Sequence, residues 1–203
     1  MPQEQYFSSK PADDGSLRTI PVRLAGRDVE VLTAGGVFSP GHVDAGTQVL
    51  LDEVPEPPAS GHLLDLGSGW GPVAITLGFE SPDATVWAVD VNERALDLVR
   101  RNARRLGLVN VNAVIPDVVP DDVRFAAIWS NPPIRIGKAE LHALLRRWLP
   151  RLDVGATAWL VVQKHLGSDS LQRWLAEEFG DGWTVARAAS SKGFRILTVT
   201  RDA

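Results

Sequence analysis

Five short apolar runs recur from residue 62 onward, and segments of helical or turn character follow each of them. The runs are HLLDL, ATVWAVD, VNAVI, FAAIWS and TAWLVVQK. Two of the intervening segments, NERALDLVRRNARRLG and KAELHALLRRWL, have the apolar spacing of amphipathic helices. Since crossover helices join parallel strands, this alternation predicts an open, mostly parallel α/β sheet with helices on both faces.

Both ends of this pattern carry antiparallel signals. The last two apolar runs, WTVARAA and FRILTVT, are separated only by Ser-Ser-Lys-Gly and predict an antiparallel pair at one edge, which brings the sheet to seven strands. Before the pattern, TIPVRL and RDVEVLT flank Ala25-Gly26 and predict a β-hairpin. We therefore expect one domain over residues 1–203, with an N-terminal extension containing the hairpin (1–45) and an α/β core (46–203).

Composition excludes several classes of protein. The chain has no cysteine, and its four histidines lack ligand spacing, so we expect neither disulfides nor a metal. No apolar run approaches the length of a membrane span and no leader is visible, which predicts a cytoplasmic protein without a membrane partner. The net charge of -4 opposes unspecific attraction to phosphates, so a nucleic-acid substrate would require a local basic patch.

The first central strand runs into a glycine-rich turn, LLDLGSGWGP. In such sheets ligands bind at the carboxyl ends of the strands, and glycines let the backbone approach a ligand closely. Gly67, Gly69 and Gly71 follow a G-x-G-x-G spacing, one residue shorter than a dinucleotide fingerprint. Asp65 precedes them and would repel a pyrophosphate, whereas it would attract an ammonium or a sulfonium. The alternative is a tight structural turn.

Two more acids follow the next two strands. Asp90, in WAVDVNERA, is suited to accept hydrogen bonds from both hydroxyls of a ribose, although it is equally an N-cap candidate for the following helix. Asp117, in VIPDV, is either an acceptor for an adenine amino group or a turn residue. Together with the glycine turn, these acids describe a nucleoside pocket beside a cation, which is the shape of S-adenosylmethionine.

The fourth strand ends in SNPPIRIGK, residues 130–138, where an amide stands beside two prolines. Alone, Asn-Pro is a common turn opener and Pro-Pro commonly ends a strand. Because it follows the glycine turn and Asp90 in the same series of strand ends, this stretch is interpreted as part of a functional site.

The motifs DLGSGWGP, AVDVNERA, IPD and SNPPIRIGK resemble, in order and spacing, those of class I S-adenosylmethionine-dependent methyltransferases over about residues 30–200. TAGGVFSPGHVDAGTQVLL, LVVQK and SKGFRIL are most similar to the bacterial small-subunit ribosomal RNA methyltransferase C type, in a single-domain form. That type modifies the exocyclic N2 of guanine. The resemblance implies a Rossmann-like fold, S-adenosylmethionine as donor, S-adenosylhomocysteine as product, no metal, and ribosomal RNA or the small subunit as partner.

The resemblance also implies the site residues. Asn131, Pro132 and Pro133 are the catalytic turn: the Asn131 side-chain oxygen and the Pro132 carbonyl accept the two hydrogens of a planar amino group, and the prolines fix the turn. Catalysis then rests on orientation and charge, without a strong base. The cofactor-binding residues are Thr47, Asp65, Gly67, Ser68, Gly69, Trp70, Asp90, Val91, Asn92, Asp117, Val118 and Asn131.

The expected substrate contacts depart from the family at one position. The residue after the prolines is often aromatic and stacks on the target base, but here it is Ile134. Because stacking on an aromatic contributes about 1–3 kcal/mol, we expect Phe38 to supply the contact, unless it is a core aromatic. Arg135 and Lys138 either meet an RNA phosphate or are solvated surface charges.

Three further features have two interpretations each. Asp44 and Thr47 either close the pocket near the methionine end of the cofactor or, for Asp44, cap a helix. Trp70 either covers the cofactor or packs beneath the glycine loop. The RRNARR run, residues 100–105, is more typical of a solvated helix end than of an RNA contact.

Other functions remain open at this point. An Asn-Pro-Pro turn also serves adenine and cytosine amino groups and protein glutamine amides, although the glutamine family usually has Tyr after the prolines. A non-catalytic cofactor-binding module and, more distantly, a nicotinamide dehydrogenase are the remaining alternatives.

Overall fold

The computed structural model describes residues 17–203, and these form nine strands and five α-helices. The strands are β1 Arg18–Leu24, β2 Arg27–Thr33, β3 Ser60–Leu66, β4 Asp83–Val89, β5 Val111–Val114, β6 Phe125–Ser130, β7 Leu152–Gln163, β8 Trp183–Ser191 and β9 Phe194–Arg201. The α-helices are α1 Ala45–Glu53, α2 Pro72–Glu80, α3 Glu93–Arg105, α4 Lys138–Trp148 and α5 Ser168–Phe179. None of these helices is long and apolar enough to cross a bilayer.

Seven strands form one sheet in the order β5-β4-β3-β6-β7-β9-β8. Strands β3 to β7 are mutually parallel, and β9 runs antiparallel to both β7 and β8. The predicted mostly parallel, seven-stranded fold is confirmed, and the reversed strand β9 lies next to the edge strand β8. Strand order reverses at β3 and β6, which is the point where ligands bind in sheets of this kind.

The two faces of the sheet bury separate apolar clusters. Successive strand residues point to opposite faces, so Leu64 packs with α4 and α5 while its neighbour Leu63 packs with α1, α2 and α3. Leu145 and Trp148 of α4 are fully buried on the first face. This double cover explains why the central strands are continuous apolar runs.

The predicted hairpin is also confirmed, and it packs against helices α2 and α3. β1 and β2 pair antiparallel, and Ala25 and Gly26 both adopt positive φ (48° and 70°), as a two-residue hairpin turn requires. The amide of Asn102 on α3 accepts from Leu32 N at 2.6 Å and donates to Leu32 O at 3.0 Å. A single buried side chain thereby holds the edge of β2 against the core.

Candidate active site

The carboxyl ends of β3 and β6 meet the N-terminus of α1 in a pocket. Its lining combines the glycine turn, the strand-end acid and the proline turn with the segment before α1. The lining residues are Phe38, Ser39, Asp44, Thr47, Asp65, Gly67, Ser68, Gly69, Trp70, Pro72, Val73 and Asn131. Two predicted groups that are far apart in sequence, Thr47 and Asn131, therefore share one cavity.

The glycine turn contains backbone positions that favour glycine over other residues. Gly67 and Gly71 have φ of 79° and 96°. A Cβ on Gly71 would lie 2.9 Å from Val99 Cγ2, so the turn could not pack on α3 with a larger residue. The amides of Gly67 and Ser68 both donate to Val89 O, at 2.8 and 3.1 Å. These bonds fix the loop between the ends of β3 and β4.

Asp65 is a buried carboxyl at the floor of the pocket. Its Oδ2 accepts from Ala74 N at 2.9 Å, and within residues 17–203 it has no cationic partner. Burial raises the pKa of Asp65 to about 8, the Ala74 hydrogen bond opposes this rise, and the charge of Asp90 adds to it. Ser68 Oγ beside it is also buried and has no hydrogen-bond partner among the described residues. A ligand ammonium and a ligand acceptor would satisfy both groups.

Asp90 lies directly after β4 and holds the glycine turn. Its Oδ2 accepts from Gly69 N and its Oδ1 from Asn92 N, each at 2.8 Å. Burial raises the pKa of Asp90, and these backbone N–H groups oppose the rise. The N-cap alternative for Asp90 is wrong, because Asn92 caps α3 by accepting from Arg94 N and Ala95 N. Each Asp90 oxygen retains a lone pair for a ligand hydroxyl.

Two exposed valines follow the adjacent strands β4 and β5. Val91 is 60% exposed and Val118 is 56% exposed. Asp117, in a short 3₁₀ helix after β5, is exposed and pairs with Arg147 at 2.8 Å. Both valines lie beyond the carboxyl ends of adjacent parallel strands, the edge at which ligands bind in such sheets.

The Asn-Pro-Pro turn leaves β6 with its amide held in one orientation. Asn131 Nδ2 donates to Asp44 Oδ2 at 2.9 Å and to Thr47 Oγ1 at 3.0 Å. Asp44 Oδ2 also accepts from Gly46 N and Thr47 N, so Asp44 is the N-cap of α1 as well as a partner of the turn. An ionised carboxylate accepts and does not donate, and Asn131 Oδ1 therefore faces away from it.

The two prolines bring the turn against the glycine loop. Pro132 is buried, and its carbonyl accepts from Ile134 N at 2.8 Å, which leaves one lone pair on that oxygen. The Cβ that glycine lacks at position 67 would lie 3.8 Å from Pro133 Cδ. Ile134 is half-buried and packs against the core face of α4, so it presents no flat surface to the pocket.

The remaining predicted residues separate into two groups. Phe38 is 43% exposed and lines the pocket, as a base-stacking role requires. Trp70 is buried, and its Nε1 donates to Ser39 O at 3.2 Å, which favours the packing alternative for its side chain. Arg135 and Lys138 are exposed beyond the turn.

The arginine run of α3 is engaged within the protein. Arg101 pairs with Asp97 at 2.9 Å, Arg105 with Glu30 at 3.0 Å and Arg100 with Glu93 at 3.7 Å. These contacts agree with the solvated helix-end interpretation. For the part of the chain that the structure describes, no cluster of His, Asp or Glu has the composition of a metal site.

The sheet order, the glycine turn and the strand-end acids define a class I S-adenosylmethionine-dependent methyltransferase. The sequence profile of the methyltransferase small domain family matches residues 28–198, and the chain belongs to this family.

Three comparisons place the chain among its relatives. It is 36% identical over 197 residues to the uncharacterized protein YbxB of Bacillus subtilis, with 96% of each chain covered. It is 29% identical to ribosomal RNA small subunit methyltransferase C of Shewanella amazonensis, covering 88% of this chain and 52% of that protein. The Thermus thermophilus 16S rRNA N2 G1207 methyltransferase, solved with AdoMet and guanosine, aligns with a TM-score of 0.79 at 23% identity over 92% of this chain and 51% of that one. The chain thus spans about half the length of these ribosomal RNA methyltransferases, and the structural likeness concerns the fold.

S-adenosylmethionine is the cofactor of this class, and the pocket suits it. Among the residues that the structure describes, the buried Asp65 carboxyl has no cationic partner and the Ser68 hydroxyl has no hydrogen-bond partner. These groups suit the ammonium and a polar group of such a ligand, and the glycine turn allows its close approach to the backbone. The structure brings these groups together near the strand ends, and the sequence gave no sign that Asp44 contacts Asn131.

Proposed function

We propose that this protein methylates an exocyclic amino group, guanine N2 of small-subunit ribosomal RNA, with S-adenosylmethionine as donor. The fixed orientation of the Asn131 amide carries the proposal. Because Asp44 and Thr47 accept both of its N–H bonds, the oxygen is the only atom of the amide that can address a substrate. A hydrogen-bond acceptor held this way suits a substrate that brings N–H groups, which an amino group does.

Two acceptors of the turn would bind the target nitrogen. Asn131 Oδ1 takes one N–H of the amino group, and the Pro132 carbonyl takes the other through its remaining lone pair. Two acceptors out of the plane of the base favour a pyramidal nitrogen whose lone pair is no longer delocalised into the ring. Donation from Asn131 to the Asp44 carboxylate increases the negative charge on Oδ1, which strengthens this effect.

The cofactor would be held by the strand-end groups. Asp65 and Ser68 meet its amino-acid end, Asp90 its ribose, and Val91 and Val118 the two faces of its adenine, with Asp117 at the adenine edge. The bound cofactor supplies an electrophilic methyl group on a sulfonium. Gly67 and Gly69 let the backbone approach the cofactor. Thr47 fixes Asn131 and so links the cofactor-binding part of the pocket to the part beside the Asn-Pro-Pro turn, which we call the substrate half.

The choice of guanine N2 rests on the relatives. Several of them are named ribosomal RNA small subunit methyltransferase C, and the structural neighbour is named for N2 of a guanosine. Phe38 supplies the aromatic surface that Ile134 lacks, and its exposure at the pocket mouth suits stacking on a base.

The proposal is tested by methyl transfer from labelled S-adenosylmethionine to small ribosomal subunits, purified ribosomal RNA and release factors. The labelled product is then digested and identified by nucleoside and peptide mass analysis. We expect label in N2-methylguanine. Label in adenine, cytosine or glutamine would retain the amino-group chemistry and overturn the guanine assignment, and cofactor binding without any transfer would favour a non-catalytic module.

A further inference from the structure

Four cations lie beyond the catalytic turn, on three segments at the carboxyl edge of the sheet. Arg135 lies in the short 3₁₀ helix after β6, and Lys138 begins α4. Lys164 follows β7, and Lys192 lies in the turn between β8 and β9. We refer to Arg135, Lys138, Lys164 and Lys192 as the basic rim. It contains every lysine in the described part of the chain.

Strand register brings these segments to the same level. Ser130 of β6 is opposite Leu160 of β7, so β7 continues three residues past β6 and ends beside the proline turn. Gln163 of β7 is opposite Phe194 of β9, and Lys164 N donates to Gly193 O at 2.8 Å. The rim therefore runs from the catalytic turn across β7 to the β8–β9 turn.

The cations of the rim are available to a partner. Arg135, Lys138 and Lys164 are exposed and form no ion pair within residues 17–203. Lys192 approaches Asp52 at 3.4 Å, but both side chains are largely exposed, and such pairs contribute little. Acids also lie near the rim: Asp52 approaches Lys192, Glu140 lies in the first turn of α4, and Asp169 pairs with Arg187 and Arg195.

Most arginines elsewhere in the described chain are already engaged. In α3, three of the four arginines of the run pair with acids and Arg104 bonds to a carbonyl. The rim is thus a local concentration of positive charge on a chain whose net charge is -4, and three of its four cations form no ion pair within residues 17–203.

The rim is continuous with the substrate half of the pocket. A Cβ on Gly46 would lie 3.0 Å from Phe194 Cε1, so the start of β9 packs against the helix turn that carries Asp44 and Thr47. Lys192 adopts φ of 47°, where Asn or Gly is favoured and a lysine is uncommon. The turn therefore displays a cation at a position whose backbone favours a smaller residue.

We propose that the basic rim binds the phosphates of an RNA strand on either side of the base that enters the pocket. The inference rests on the proposed function, and it supplies the local basic patch that a chain with this net charge requires. Three or four phosphate contacts steer and orient an RNA, while the pocket selects the base.

The test compares two variants of equal charge in the full chain. The rim variant carries Arg135→Gln, Lys138→Gln, Lys164→Gln and Lys192→Gln, and the matched control carries Arg100→Gln, Arg101→Gln, Arg104→Gln and Arg105→Gln. Each is titrated into a fluorescein-labelled RNA hairpin with guanines in its loop, by anisotropy at several salt concentrations. S-adenosylhomocysteine binding is measured on every protein as a check of the fold, and single Lys164→Gln and Lys192→Gln variants serve if the fourfold variant does not fold.

We expect the rim variant to bind the hairpin at least ~10-fold more weakly, with a slope of log K against log salt reduced by about 2 to 3, since each contact to a single strand contributes ~0.7. The control should bind like wild type. Equal affinity of the rim variant and the wild type, or a loss confined to the control, would show that the rim does not bind the RNA phosphates. The proposed RNA substrate would be unaffected by that result. A wild-type protein that binds S-adenosylhomocysteine but no hairpin at low salt would overturn both the rim and the proposed RNA substrate.

Discussion

The side-chain amide of Asn131 donates to the carboxylate of Asp44, 87 residues earlier in the chain, at 2.9 Å. The contact joins the proline turn after β6 to the N-cap of α1. It determines which end of the amide is exposed to a substrate, since the carboxylate is an acceptor only.

Asn131→Ala should retain S-adenosylhomocysteine affinity and lose most turnover. In the proposed function, Asn131 Oδ1 accepts a hydrogen bond from the nitrogen that receives the methyl group. Misplacing a reacting group by about 1 Å costs on the order of 10²-fold. Turnover is measured on the substrate found by the methyl-transfer assay, and affinity by calorimetry. Glu53→Gln, at the exposed end of helix α1, is the control. A variant as fast as wild type would show that the amide has no catalytic role.

Thr47→Val should lower kcat while leaving the KM for the cofactor near its wild-type value, and Thr47→Ser should restore kcat. Valine keeps the buried volume but cannot accept the Asn131 N–H, whereas serine can. If Thr47 only supported the fold, Thr47→Ser would show no particular rescue, and melting temperature would follow activity across both variants.

Asp44→Asn should also lower kcat with little change in stability. Asparagine is as good an N-cap as aspartate, so α1 remains capped. The substitution removes the negative charge that polarises Asn131. It also allows the two facing amides to adopt either orientation. Near wild-type kcat in this variant would mean that the carboxylate charge is unimportant.

Asp90→Ala should weaken S-adenosylhomocysteine binding before it affects chemistry. Hydrogen bonds to a charged group contribute about 1.5–3 kcal/mol, so we expect a loss of roughly 10- to 100-fold in affinity. Asp117→Ala is the comparison, because Asp117 is 81% exposed and already paired with Arg147, and its loss should cost less. The reverse order of the two effects would place the ribose contact elsewhere.

The sequence was sufficient for the sheet and for the strand-end groups because both are local patterns. Strand period, glycine spacing and the Ala25-Gly26 turn each follow from a few adjacent residues, and the glycine turn and Asp90 lie where the strands end. Parallel strands bring their carboxyl ends together, so those groups converge without knowledge of side-chain contacts.

The contacts that the sequence could not give depend on tertiary register. From the sequence alone, a helix cap is a sufficient interpretation of Asp44. Only the packing of α1 against the sheet shows that Asp44 also accepts a hydrogen bond from Asn131. Trp70 sits inside the glycine loop in sequence, yet its ring turns into the core beneath the hairpin. Neither outcome is encoded in the spacing of neighbouring residues.

Asn102→Ala should lower the free energy of unfolding by about 1–3 kcal/mol, because it removes the hydrogen-bond partner of the part-buried N–H and C=O of Leu32. Denaturant unfolding followed by tryptophan fluorescence measures the change. Asn112→Ala is the matched control, since Asn112 is exposed on β5. Equal losses in the two variants would mean that the Asn102 amide does not hold the hairpin.

Binding of S-adenosylhomocysteine at pH 7 should release a proton from Asp65. The pKa of this buried carboxyl is raised to about 8, so at pH 7 it is mostly protonated in the free protein. A ligand ammonium beside it favours the carboxylate and lowers its pKa, which expels the proton. Affinity should therefore rise between pH 6 and pH 8 and level off above. Calorimetry in two buffers of different ionisation enthalpy measures the release, and Asp65→Asn should abolish it. Identical heats for the wild type in both buffers at pH 7 would mean that Asp65 is already ionised without a ligand.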